Sequence, residues 1–313
     1  MADINQLQVP KISFIYCNYS AARLLEQALL SVMEAAVSIP YEIIIVDDMS
    51  NDNSVEMIRT KFPSVHLIVN TETLWSEPSF NKAIQASKGT FIYFLGTDTI
   101  VHKGTAEALL SFMDRNPDVR AVTCRVFLPD GRFQQNACRD HNLKLALLNF
   151  TFLGHLFPSW KRKFHDDFTY KGWNWDENHE VEASGFTNLL IRRSALETAG
   201  FIDTGFRQYF SENDLCLRIR KNGGKIYYLA VGKVIHHLRG TVSKSNIKQI
   251  AKNYEQDCFH YFHKYYGLGA AVLLQILISF SNLILSIRDG KFNRVFTRFL
   301  ASPEQAKKPE KLS

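Results

Sequence analysis

Cysteine is scarce in this chain of 313 residues. The five thiols, at positions 17, 124, 138, 216 and 258, are odd in number and form no C-x-x-C pair. That pattern weighs against a disulfide framework and suits a reducing compartment. A large charge of one sign is missing too: 37 basic residues face 31 acidic ones. Most of the +6 excess sits after Ile287, where seven Lys or Arg meet three Asp or Glu. A nearly neutral body with a basic tail argues against a general nucleic-acid binder and for a membrane surface. The opening MADINQLQVPK has no apolar core of signal-peptide length, so no Sec export is expected. At 46% apolar and 22% charged residues, the composition is that of a globular protein, not of a disordered, collagenous or solely coiled-coil one.

Residues 12–126 alternate short apolar runs with helical patterns. Strands are expected at Ile12–Cys17, Tyr41–Val46, Val65–Val69, Thr90–Leu95 and Val119–Val126. Helices are expected at Ala21–Ala36, Ser54–Phe62, Pro78–Ser87 and Gly104–Asn116. This alternation predicts an α/β fold with a mainly parallel sheet flanked by helices. Such sheets bind ligands outside the carboxyl ends of their strands. There the sequence places Asn18-Tyr19-Ser20, Asp47-Asp48 and Gly96-Thr97-Asp98-Thr99. Three carboxylates gathered at one edge call for a cation or hydrogen-bond donors. A turn or capping role is the plainer reading of Asp47 and Asp48.

Residues 127–183 break the rhythm and hold Trp160, Trp173 and Trp175 among many Phe residues. They form either a small apolar cluster or an acceptor-side wall of aromatic faces. Beyond them, Gly185–Arg192 reads as strand and Ser194–Ala199 as helix. Glu212–Lys221 is expected as a helix stopped by Gly223-Gly224, followed by a strand at Lys225–Leu229. His236-His237 follow Val234-Ile235. From Gly267 to Ile287 runs a mostly apolar stretch of 21 residues, long enough to span a bilayer. Gln275, Ser279, Asn282 and Ser286 share one helical face of it, which favours lying in the interface over crossing. Arg288, Lys291, Arg294 and Arg298 then interleave with apolar residues, as in segments that bind anionic membranes. A helical tail folded onto the protein is the alternative.

The order of these features resembles family 2 glycosyltransferases with the GT-A fold, nearest the rhamnosyltransferase-like branch. The resemblance runs from about Ile12 to Ser243. It rests on ISFIYCNYS, YEIIIVDDMSNDNS, KGTFIYFLGTDTIVHKGTAEALLSFMDRNPDV, EASGFTNLLIRRSALETAGFID, SENDLCLRIRKNGGKI and VIHHLRGTVS. It implies a transfer domain at 1–243, with donor half 12–126 and acceptor half 127–243, and a helical membrane-surface extension at 244–313. The implied activity is transfer of a sugar from a nucleotide diphosphate to an acceptor hydroxyl, with inversion. A glycan or lipid-linked glycan would be the acceptor, and the setting would be polysaccharide or glycolipid synthesis at the cytoplasmic face of the membrane.

By the same resemblance Asp48 would bind the donor's base, with Cys17, Asn18, Tyr19 and Asp47 around it. Asn81 and Thr97 would lie near the donor. Asp98, the last acid of a D-x-D-like motif, and His237, before Gly240, would hold Mg²⁺ or Mn²⁺ on the diphosphate. Trp173, Trp175, Gly185 and Asp214 would face the acceptor, and Glu212 would be the general base. The residue types suit that chemistry: a divalent cation offsets the leaving diphosphate, and a carboxylate takes the acceptor's proton. Asp214 also fits a plain helix-start role.

The sequence departs from the pattern at Gly96, Trp75 and Ser211, where the family carries an acid, a glycine and an acid. A catalytically inert homologue that binds nucleotide sugar is therefore the alternative function. A nucleotidyltransferase would want a glycine-rich loop after the first strand, and ISFIYCNYSAARLL contains no glycine.

Overall fold

A computed structural model describes residues 9–36, 38–238 and 247–289. Gly240, Lys291, Arg294 and Arg298 lie outside them, as do the side chains of Ser286 and Arg288. In chain order the elements begin β1 (Ile12–Asn18), α1 (Ala22–Ala35), β2 (Tyr41–Asp47), α2 (Ser54–Lys61), β3 (His66–Val69), α3 (Ser76–Ala86) and β4 (Phe91–Leu95). There follow β5 (Thr99–Val101), α4 (Thr105–Arg115), β6 (Val119–Phe127), β7 (Phe133–Gln134), β8 (Ala137–Cys138), α5 (Leu143–Phe150), α6 (Leu153–Leu156) and α7 (Pro158–Phe168). The rest are β9 (His179–Glu180), β10 (Ala183–Ser184), β11 (Asn188–Arg192), α8 (Arg193–Ala199), α9 (Ser211–Lys221), β12 (Lys225–His236) and α10 (Ile247–Asp289).

The main sheet has the order β3-β2-β1-β4-β11-β6-β12-β5. Pairings β3-β2, β2-β1, β1-β4 and β6-β12 are parallel. β11 enters antiparallel between β4 and β6, and β5 pairs antiparallel with β12. Central strands such as β1 (ISFIYCN) are apolar on both faces because helices cover both. Ile12, Phe14, Leu25, Leu29, Ile45, Leu109 and Leu190 belong to the core on one side of the sheet. α9 carries Glu212 and Asp214 in its first turn and Arg218, Arg220 and Lys221 in its last, matching the helix dipole. It stops at Gly223, whose φ of 79° suits a residue without Cβ.

Two compact units result. One comprises residues 1–138, 173–204 and 211–241; the other comprises 139–172, 205–210 and 242–313. The second is helical, and Phe150, Phe206, Phe210, Tyr254, Tyr261, Phe262 and Leu274 make its core. Within it Asp257 is fully buried and accepts the backbone N–H groups of Arg207, Gln208 and Tyr209 at 2.9–3.0 Å. α10 bends at Gly267, whose φ of 84° and ψ of 165° are not helical.

The expected strands and helices of residues 12–126 are present within a residue or two. Three features differ from expectation. β5 has only three residues, too few to show a period. β12 continues past Leu229 to His236 through an irregularity before Val234, where Gly232 takes a φ of 74°. Residues 139–168, within the stretch that breaks the β-α rhythm, form three helices.

Candidate active site

The ends of β1 and β2 are tied by side chains. Asn18, fully buried, donates from Nδ2 to Asp47 Oδ2 (2.7 Å) and Ser50 Oγ (3.0 Å). Asp47 also accepts the Ser50 N–H and hydroxyl at 2.9 and 2.7 Å. It shapes the turn after β2, the plainer of its two readings. Asn18 Oδ1 is buried without a hydrogen-bond partner among the described residues. Tyr19, next in the chain, is 48% exposed.

Asp48 holds the loop that enters α3. Its Oδ1 accepts Asn70 Nδ2 and Leu74 N, both at 2.8 Å, and its Oδ2 accepts Trp75 N at 3.0 Å. Asn70 also donates to Ser79 Oγ (3.0 Å) and accepts from Lys82 Nζ (2.7 Å). Ser79 bonds the Cys17 thiol, whose pKa burial and then the charge of Asp48 push up to about 12. Backbone bonds join these two side-chain groups across the strand ends, from Asp48 N to the Asn18 carbonyl (2.8 Å) and from Asn70 N to the Asp47 carbonyl (2.9 Å). Asn81 does not join them. Its amide clamps the Ile202 backbone, donating to the carbonyl (2.8 Å) and accepting from the N–H (3.0 Å).

The pairing of β5 with β12 sets Thr99 opposite His236. His236 brings its imidazole to Asp98, with Nε2 3.3 Å from Asp98 Oδ1 and Nδ1 2.9 Å from Gln134 Oε1. His237 contributes its backbone N–H to the Asp98 carbonyl at 2.9 Å. Thr97 beside Asp98 is buried. A Cβ on Gly96 would lie 3.0 Å from Asp98 Oδ1, so the missing first acid of the motif leaves the place that the Asp98 carboxylate takes. Among the described residues no cluster of three or more His, Cys, Asp or Glu side chains could enclose a metal ion. Asp98 and the adjoining imidazole offer two donors, a set that suits Mn²⁺ if diphosphate oxygens and water supply the rest.

The start of α9 divides its two acids. Asp214 is fully buried and paired with Arg218, at 2.9 Å to Nε and 2.8 Å to Nη2. Arg218 in turn donates to the carbonyls of Ala199, Gly200 and Phe201. Glu212 is only partly buried, and Ser211 Oγ lies 3.3 Å from its Oε2. The same Ser211 hydroxyl donates to Glu77 Oε1 at 2.9 Å. Glu77 is a site residue that sequence reasoning missed. It sits in the first turn of α3, where acids are ordinary. Only its 1% exposure sets it apart. Burial, with a further push from the charge of Glu212, raises its pKa to about 7.

Trp173 and Trp175 pack on each other, at 4.3 Å between ring centroids, and on the buried Tyr228 at 5.5 and 5.0 Å. Both tryptophans stay partly exposed. Around Gly185 a Cβ would meet no atom within 4 Å.

Residues 13–199 match the family model described as glycosyl transferase family 2. The chain belongs to that family. Among its relatives, the minor teichoic acid biosynthesis protein GgaB of Bacillus subtilis is 24% identical over 252 residues. The match covers 76% of this family 2 chain and 26% of GgaB, so the chain spans about a quarter of that relative. An N-acetylglucosaminyl-diphospho-decaprenol L-rhamnosyltransferase of Mycobacterium tuberculosis is 23% identical over 251 residues, covering 76% of this chain and 79% of the relative. The crystal structure of GalNAc-T7 with UDP, GalNAc and Mn²⁺ superposes with a TM-score of 0.55 at 16% identity, over 83% of this chain and 51% of that one. The likeness to that structure concerns the fold, and the fold is GT-A, as the sequence pattern implied.

Proposed function

We propose that this family 2 chain is an inverting glycosyltransferase that moves a sugar from a nucleotide diphosphate to an acceptor hydroxyl in cell-surface polysaccharide or glycolipid synthesis. One observation carries the reading. Of the two acids opening α9, Asp214 is fully buried and held by Arg218, whereas Glu212 is only partly buried. A group that must take a proton from a substrate has to be reachable, and Glu212 is. The roles of the relatives, minor teichoic acid biosynthesis and rhamnosyl transfer to N-acetylglucosaminyl-diphospho-decaprenol, support the substrate class.

In this reading the strand ends receive the donor. Asp48 and the loop it pins form one wall of the base pocket, with Cys17 and Asn18 beside it. Asp98 and the His236-His237 pair would hold a divalent cation, which supplies charge for the leaving diphosphate when bound. The acceptor oxygen attacks the anomeric carbon from the face opposite the diphosphate. The new C–O bond forms as the bond to the phosphate oxygen breaks. The nucleoside diphosphate leaves with that electron pair, and the acceptor's proton passes to Glu212. The transition state is oxocarbenium-like, as in glycoside hydrolysis.

Transfer is assigned to residues 1–243, and 244–313 to holding the enzyme on a membrane surface. Among the described residues α10 is long and apolar enough to cross a membrane by length and composition. Beyond Gly267, Ala271, Leu274, Ile278, Ser281 and Asn282 are buried. Gln275 donates to Glu255 Oε1 at 2.8 Å. The other face exposes Leu268, Leu273, Ile276, Phe280, Leu283 and Ile287. Two of the four polar residues expected on one stripe thus turn onto protein, while Ser279 stays exposed. An apolar exposed face on a packed helix suits insertion into the acyl boundary of a cytoplasmic leaflet.

The test is turnover of a panel of UDP-, dTDP- and GDP-hexoses, with and without Mn²⁺. Glu212→Gln keeps the size of the side chain and removes the base. It is expected to lower turnover by roughly 10²-fold or more with donor affinity retained. Turnover near that of the unsubstituted enzyme in Glu212→Gln would exclude Glu212 as the base.

A further inference from the structure

Glu77 has no part in the mechanism above, yet its carboxylate is buried and touches the same helix start as the base. Among the described residues its side-chain partners are hydroxyls, beside its own backbone N–H: Ser76 Oγ donates to Oε2 at 2.7 Å and Ser211 Oγ to Oε1 at 2.9 Å. A carboxylate buried against neutral groups favours its protonated form. Ser211 Oγ lies between two carboxylates, 2.9 Å from Glu77 and 3.3 Å from Glu212. A hydroxyl has one proton to donate. It can serve both acids in full only if one of them carries a proton and donates it to the serine oxygen.

We propose that Glu212, Ser211 and Glu77 form a proton relay whose buried end is Glu77. The inference rests on the reading of Glu212 as the base. As the acceptor oxygen bonds to the anomeric carbon, its proton goes to Glu212. Glu212 then donates through Oε2 to Ser211 Oγ, while the Ser211 proton passes to Glu77 Oε1. One proton enters at Glu212 and one arrives at Glu77; the serine is regenerated and Glu212 is again a carboxylate. After product leaves, the path runs in reverse and the proton is lost to water at the partly exposed Glu212. The Cys17 thiol, which burial and then the charge of Asp48 push up to about 12, also feels the charge of Glu77 and stays protonated.

The experiment measures nucleoside diphosphate release from whichever of the UDP-, dTDP- and GDP-hexoses turns over fastest, from about pH 5 to about 9. The full chain and its Glu77→Gln, Ser211→Ala and Glu212→Gln variants are compared. The relay accepts protons only when Glu77 is ionised, so kcat of the unsubstituted enzyme should rise with pH through about 7. Glu77→Gln and Ser211→Ala should lose that limb and about 10-fold in kcat, with KM unchanged. Either variant keeping both kcat and the limb would overturn the relay. If Glu212→Gln is inactive while Glu77→Gln matches the unsubstituted enzyme, only the relay fails; if Glu212→Gln stays active, the base assignment fails with it. Infrared titration reads the same pair without turnover. A carboxylic acid band titrating near 7 should vanish in Glu77→Gln and move to lower pH in Glu212→Gln, where the neighbouring charge is gone. A band that Glu212→Gln leaves unmoved would show the two acids uncoupled and overturn the proposal.

Discussion

Trp75 holds a backbone conformation, φ 70° and ψ −174°, that belongs to glycine. The family pattern carries glycine there, and in the structure this strained residue is also the one whose N–H donates to Asp48 Oδ2 at 3.0 Å. Both Trp75→Gly and Trp75→Ala delete the indole, but only glycine relieves the positive φ. The glycine variant should therefore be more stable than the alanine variant by about 1 kcal/mol in urea unfolding. Equal midpoints would show that the turn is unstrained. Glu77 carries a second prediction at this scale. Its folded pKa, about 7, lies above the unfolded value near 4.5. Below the unfolded value both states are protonated and the stability is fully present. Between 4.5 and 7 the unfolded chain ionises first, so stability is lost as pH rises through that window. The loss approaches about 1.4 kcal/mol per pH unit for a group so buried. The unfolding free energy of Glu77→Gln should lack this fall; a parallel pH dependence in the two proteins would refute it.

Within the first turn of α9, two acids two residues apart sit in different surroundings. Asp214 secures the helix to the chain reversal after α8, because Arg218 spans from its carboxylate to the carbonyls of residues 199–201. Breaking a buried pair by removing one charge strands the other, at a cost of about 3–5 kcal/mol. Asp214→Asn should lower the unfolding midpoint clearly, whereas Glu212→Gln should leave it near that of the unsubstituted protein while abolishing turnover. Thermal unfolding of both variants decides, and the reverse ranking would reassign the two acids. The same scale explains the histidines. In a strand, neighbouring side chains point to opposite faces, so a shift of one residue in the pairing of β12 with β5 would exchange which histidine meets Asp98.

For the whole molecule, the prediction concerns the membrane. The exposed face of α10 and the basic residues after Ile287 act together in the proposed anchoring, the first through apolar area and the second through charge. Each Lys or Arg near an anionic surface contributes on the order of 1 kcal/mol and is screened by salt. The full chain should sediment with vesicles containing phosphatidylglycerol, less at high salt. Ile276→Glu with Phe280→Glu, both on the exposed face, should release it without changing its fold by circular dichroism. Sedimentation undiminished by the two charges would remove α10 from the membrane surface.

The alternation of apolar runs and helical spacing sufficed for the first nine long elements, because a strand covered on both faces must be apolar throughout and an amphipathic helix must repeat near 3.6 residues. Those rules also put Asn18, Asp48 and Asp98 at strand ends, where a ligand would sit. Spacing along the chain says nothing about partners brought together across it. The choice of His236 beside Asp98 came from strand register, the clamp of Asn81 on Ile202 from helix packing, and the division of labour between Glu212 and Asp214 from the position of Arg218. Glu77 was invisible in the sequence for the same reason. An acid in the first turn of a helix is ordinary on a surface, and its meaning changed only when folding buried it against a hydroxyl 134 residues away.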